Sequence, residues 1–88
     1  MADKGYSYET LKQIKPQKIR LYLTSCGWEL EKKTGAFDIF SDPDHSTVVT
    51  VPNSREYSDY ALRIEEVIKD VSRSRNISIQ RVIAGMTI

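Results

Sequence analysis

Gly27-Trp28-Glu29-Leu30-Glu31-Lys32-Lys33, Ala36-Phe37-Asp38-Ile39-Phe40 and Val48-Val49-Thr50-Val51-Pro52 are three short runs parted by turn residues, and their reading decides the fold. Trp28 and Leu30 alternate with Glu29 and Glu31. Phe37 and Ile39 alternate with Ala36, Asp38 and Phe40, and Val49 and Val51 with Val48 and Thr50. A period of two over short runs, with turn clusters at each break, predicts a three-stranded antiparallel meander. Pro52 closes the third run because it has no N–H to give to a ladder.

Helical patterns flank the meander. Pro16 suits the first turn of a helix, where its missing N–H costs nothing. Ile19, Tyr22, Leu23 and Cys26 follow on one face, with Gly27 as the terminating residue, so a helix is expected over 16–26 with Lys18 and Arg20 outward. Tyr8–Ile14 is expected to form a short turn of helix after a loose start at 1–7. On the other side, Tyr60, Ile64, Val67, Ile68 and Val71 form an apolar stripe over 58–74, with Ser58 as N-cap and Glu65 and Lys69 paired on an outer face. Asn76 can end that helix in left-handed geometry. Ser78 then caps a last short helix bearing Ile79, Val82, Ile83 and Met86, with Ile77 and Val82 as a hydrophobic staple. The expected architecture is α+β: an α-β-β-β-α two-layer sandwich, helices on one face, with an additional short C-terminal helix. Residues 1–15 read as an N-terminal extension and 16–88 as one domain.

At 88 residues, 40% hydrophobic and 28% charged, the chain has the composition of a folded domain with a thin core. The single cysteine excludes an internal disulfide and fits a reducing compartment. The absence of a long apolar run argues against a membrane span, and the polar Met1-Ala2-Asp3-Lys4-Gly5 start has no signal-like core, so a cytoplasmic location is expected. The net charge of +1 conceals an uneven distribution. Residues 1–33 carry seven Lys/Arg against four Asp/Glu, 34–70 three against eight, and 71–88 three Arg and no acid. Basic ends and an acidic middle suit either nucleic acid or a charged protein partner.

Chemistry-bearing residues are few. His45 lies in Asp42-Pro43-Asp44-His45, where Asp followed by Pro is what a type I turn requires. With no second His or Cys nearby, no metal site is expected. Cys26 reads as a packed core thiol near a helix C-terminus, where a thiolate is disfavoured. Trp28 reads as core filling between helix and sheet, and Tyr57, in a loop, less so. Lys12, Lys15, Lys18 and Arg20, with Lys32 and Lys33 on the first hairpin, are the candidate phosphate-binding set, to which Arg73, Arg75 and Arg81 could add. No Gly-rich phosphate loop and no catalytic constellation stand out, so neither a cofactor nor a small-molecule substrate is expected.

The layout from 17 to 72, with Gly27-Trp28, Gly35, Pro43-Asp44-His45 and Val49-Thr50-Val51-Pro52, resembles the HicA-type mRNA interferases, whose fold is similar to the double-stranded RNA-binding domain. The resemblance implies that scaffold. It also implies a catalytic histidine two residues after the hairpin glycine, where this chain has Phe37. A lysine-rich clamp at the start of the last helix, found in double-stranded RNA-binding domains, is replaced by Ser58-Asp59-Tyr60-Ala61. The stretch from Trp28 through Tyr60-Ala61-Leu62-Arg63-Ile64 to the Ser78 helix is also similar to N-terminal regions of longer uncharacterised bacterial proteins.

These features lead to the expectation of a non-catalytic binding module, docking a protein partner, a second copy or the rest of a larger polypeptide. Its surface would be Ile79, Val82, Ile83 and Met86, the acidic face of the long helix and the exposed side of the sheet. The alternative is RNA or DNA binding through the basic set, and a diverged ribonuclease comes third.

Overall fold

The computed structural model describes residues 6–87. Its elements are α1 (Tyr8–Gln13), α2 (Pro16–Ser25), β1 (Glu29–Lys33), β2 (Phe37–Ser41), β3 (Val48–Pro52), α3 (Tyr60–Arg75) and α4 (Ile79–Thr87). The strands form one antiparallel sheet in the order β1-β2-β3. The chain is therefore α+β, with helices before and after the meander and a further one at the C-terminal side. Among the described residues no helix is long and apolar enough to cross a membrane. The first five positions of the expected loose start lie outside the described residues.

Local chemistry explains the element ends. Ser7 accepts from the Thr10 N–H and caps α1, and Pro16 opens α2 at a position that needs no donor. Gly27 follows α2 at φ 87, a conformation that a side chain disfavours. Asn76 ends α3 with φ 57 and ψ 47, and Ser78 accepts from the Arg81 N–H at the start of α4. One expectation fails here: α3 begins at Tyr60 after Asp59, so Ser58 is not its cap. The Asp59 carboxylate makes no cap bond either, being engaged by Arg63 Nε at 3.0 Å.

Phe40 of β2 and Val49 and Val51 of β3 turn inward against Tyr60, Ile64, Val67, Ile68 and Val71 of α3. Each large apolar side chain so buried stabilises the fold by about 1.5–3 kcal/mol. The opposite sheet face carries Phe37, Ile39, Val48 and Thr50, half-buried or exposed. Asp38 shares the inward face of β2 with Phe40 and is 1% exposed. β1 is an all-exposed edge strand whose register slips between Leu30 and Lys32, and Leu30 stays 51% exposed. Such a charged, bulged edge is poorly suited to pairing with another chain.

Residues 6–15 join this core. Leu11 and Ile14 are fully buried, and the Tyr60 hydroxyl donates to the Ile14 carbonyl at 2.6 Å. Glu65, expected outward beside Lys69, is buried and accepts from Tyr6 at 2.7 Å and Tyr8 at 3.3 Å. Burial, and then the Glu65 carboxylate, push the Tyr6 phenol up to about 12. α4 packs back on the same core through Val82 and Met86, both fully buried.

The approach of α4 to α2 depends on Gly85. A Cβ there would enter the van der Waals envelope of Tyr22 Cε1 and Cδ1. Moving the Tyr22 ring would disturb its contact with the Arg75 guanidinium, which lies 5.6 Å from its centroid and donates to its hydroxyl. Gly85→Ala should therefore cost about 1–3 kcal/mol in urea unfolding, although Ala is the better helix former by about 1 kcal/mol. In a Tyr22→Ala background the same change should be neutral or stabilising. A stabilising Gly85→Ala in the native background would refute the close approach.

Candidate nucleic-acid interface

The α1–α2 corner is built by Pro16. The residue before a proline is driven to extended backbone, and Lys15 takes φ −79 and ψ 143, turning the chain sharply between the helices. Its side chain makes no cap bond. Gln17 follows, with one of the orphan amides of a helix start. Facing this corner is the loop between β3 and α3. Asn53 anchors that loop to the β1–β2 turn, donating from its backbone to Ala36 at 3.1 Å and from its side chain to Gly35 at 2.8 Å. Arg55 reaches across to the Lys12 carbonyl at 3.5 Å, the limit of a hydrogen bond.

Between corner and loop lies a cleft of about 350 Å³ lined by Lys15, Pro16, Gln17, Arg20, Asn53, Ser54 and Arg55. No acid lines it, and among the described residues neither Lys15 nor Arg55 has a carboxylate within ion-pair distance. Arg20, expected outward, is half-buried instead. Its Nη1 lies 3.6 Å from Asp38 Oδ2, and neither Asp38 oxygen has a hydrogen-bond donor. Asp38 thus holds Arg20 at the cleft by charge alone. Tyr60 stands behind the cleft, its phenol pushed up to about 12 by burial, with Arg55 and Arg20 working against that rise.

The expected basic set is only partly gathered. Lys15 and Arg20 line the cleft, Lys12 does not, only its backbone carbonyl meeting Arg55, and Lys18 shares an adjoining depression with Lys15. The β1 lysines separate. Lys33 pairs across from Asp38 on the inward face, whereas Lys32 pairs with Ile39 on the open one. Arg55 was not in the expected set. A lone arginine in a loop has no periodicity to mark it, and only the tertiary fold brings it to Lys15. Arg75 lies over Tyr22, and Arg73 pairs with Asp70 at 3.5 Å.

The expected docking stripe on α4 needs correction. Val82 and Met86 are inaccessible and only Ile79 and Ile83 keep partial exposure, because the groove that this short helix requires is supplied by the chain itself.

His45 also differs from expectation. Its turn forms as the Asp-Pro pair implies, with the His45 N–H donating to the Asp42 carbonyl at 2.9 Å. Strand β1, however, brings Glu29 and Glu31 to the ring, so that the three offer ligand atoms within 4.8 Å of one another, all on exposed residues. Nε2 is 3.3 Å from Glu29, Nδ1 is 3.5 Å from Glu31, and Ser41 bridges Glu31 and Nδ1. The ring thus sits between two carboxylates that use opposite nitrogens. That arrangement brackets the imidazole. It stands at the β2–β3 turn, the opposite end of the sheet from the basic cleft.

No family model, curated protein or solved structure matches this chain.

Asp42 organises that far turn. Its carboxylate accepts from the N–H groups of Ser46 (2.8 Å) and Thr47 (3.2 Å) and from the hydroxyls of Ser46 and, on α3, Ser74 (2.9 Å). Burial works to raise its pKa, but these donors outweigh it and hold the group below the ordinary carboxylate value. A lowered folded-state pKa gives stability that is present above the unfolded value of about 3.9 and lost as pH falls through the folded one. Asp42→Asn should lower the urea midpoint at neutral pH and flatten its decline below about pH 4. An unchanged acid decline in the variant would assign that loss to other groups.

Proposed function

We propose that this domain is a non-catalytic binding module whose ligand is a nucleic acid, held by its phosphates in the cleft of Lys15, Arg20 and Arg55. The observation that carries the proposal is the convergence of these three cations, from two separate elements, on one concavity lined by no acid. Phosphate oxygens need several donors and positive charge on one surface, and guanidinium forks suit them especially well. Asn53, Ser54 and the first turn of α2 add neutral donors at the same place.

A protein partner ranks behind nucleic acid because half of the stripe expected to receive it lies inside the core. Ribonuclease chemistry ranks last. Phe37 occupies the strand position at which the HicA resemblance would place a catalytic base, and His45 is at the other end of the sheet.

Fluorescence anisotropy of a labelled oligonucleotide, titrated at low and moderate salt, tests the proposal. Three phosphate contacts predict a log–log salt slope of about −2 to −3, or a roughly 20- to 40-fold loss of affinity between about 50 and 200 mM salt. Arg55→Ala should weaken binding to all sequences alike and reduce the slope by close to one. Binding indifferent to salt, or none at low salt, would end the nucleic-acid proposal.

A further inference from the structure

We infer that the ligand is single-stranded, and that an unpaired base stacks beside Tyr57 in a groove next to the phosphate cleft; this rests on the phosphate-binding proposal above. The groove, of about 500 Å³, lies where the uncovered face of the sheet meets the loop before α3. Phe37, Thr50 and Pro52 come from the strands, Tyr57 and Asp59 from the loop and Arg63 from α3, the Asp59 carboxylate being engaged by Arg63. The volume is ample for a nucleobase, and the lining is mostly apolar, with two aromatic rings and a guanidinium plane. Base stacking needs these groups and tolerates any sequence, because every base has a π-face.

The groove and the cleft share a wall. Asn53 lines the cleft, and its Oδ1 accepts from the Tyr57 hydroxyl at 3.0 Å. Its other bonds, to Gly35 and Ala36, fix it to the first hairpin. Tyr57 is 39% exposed, so its ring is accessible yet tethered at the hydroxyl. Arg63 is likewise oriented, by Asp59 at 3.0 Å. A strand whose phosphates rest on Lys15, Arg20 and Arg55 can place a neighbouring base over this wall. A duplex keeps its bases stacked inside and cannot. The charge of the adjoining cleft is what selects a nucleotide over an apolar peptide side chain as the occupant.

The test uses the full chain and three labelled probes of equal length: oligouridylate, the same chain made abasic, and an RNA duplex. The single strand should bind tightest. Tyr57→Ala should weaken it roughly 5- to 150-fold while leaving the abasic probe unchanged. Tyr57→Phe, which keeps the ring, should retain most of the affinity. Because Tyr57 is exposed, all variants should show the native urea midpoint, and the abasic probe controls for folding in the same assay. Equal affinity for duplex and single strand, or a Tyr57→Ala that binds oligouridylate normally, would overturn the stacking inference while leaving phosphate binding intact. Failure of all three probes at low salt would remove both.

Discussion

The hydrogen bond from the buried Tyr60 hydroxyl to the Ile14 carbonyl holds together parts of the chain that nothing local would join. α1 has six residues and would not persist alone in water. Its last carbonyl, just before the extended Lys15, is one of the groups that a helix end leaves without an internal partner. Tyr60 satisfies that carbonyl from the first residue of α3, and Leu11 and Ile14 enter the core on either side of the bond. Tyr6 and Tyr8 fasten the same segment to Glu65, one turn further along α3. These bonds locate the α1–α2 corner against the β3–α3 loop, and so bring Lys15 and Arg20 opposite Arg55. The cleft is therefore a product of long-range fastening rather than of any one element.

Much of the scaffold was legible in the residues. Alternation marked β2 and β3 as strands but not which face turns inward: in β2 Asp38 and Phe40 face the core, and Phe37 and Ile39 lie on the open side. The proline, glycine and asparagine that bound α2 and α3 act as their backbone preferences require. Legibility failed where a tertiary partner overrode a local rule. Leu30 alternates properly yet stays exposed, because β1 is an edge strand carrying a bulge. Glu65 sits in a good i, i+4 pair on paper, but two phenols from the N-terminal segment reach it first. The apolar stripe of α4 could be read, though what covers it could not, since its seat is formed by α2 and the core together. The same limit applied to the candidate site. Lys15 and Arg20 were visible as part of a basic run, whereas Arg55 is separated from them by the whole sheet in sequence.

The charge distribution acquires a spatial meaning once folded. The two ends of the sheet differ in kind. At the β2–β3 turn, Glu29 and Glu31 flank His45 and Asp42 is held by local donors, so that end carries more carboxylates than cations. At the β1–β2 end, Lys15 and Arg55 have no carboxylate beside them among the described residues. Asp38 pairs with Arg20 from the inward face of the sheet. An acidic middle and basic flanks in the sequence thus become an acidic end of the sheet and a cationic concavity at the other.

Asp38 is the residue that stability alone does not explain. A carboxylate 1% exposed, lacking any hydrogen-bond donor, is costly to bury, and one guanidinium contact at 3.6 Å compensates only partly. An apolar residue would fit the inward pattern of Phe40, Val49 and Val51 better. What the carboxylate does accomplish is to restrain Arg20, a side chain with many rotamers, at the floor of the cleft. On the proposed reading, ordering that guanidinium before a ligand arrives reduces the entropy lost on binding. The remaining N–H groups of Arg20 can then serve an incoming phosphate, and the attraction between Asp38 and Arg20 tempers the repulsion that gathers as Lys15, Arg20 and Arg55 approach one another. Under the phosphate binding proposed above, a buried charge that costs core stability and pre-orders a surface cation is what an exchange of local stability for function would look like.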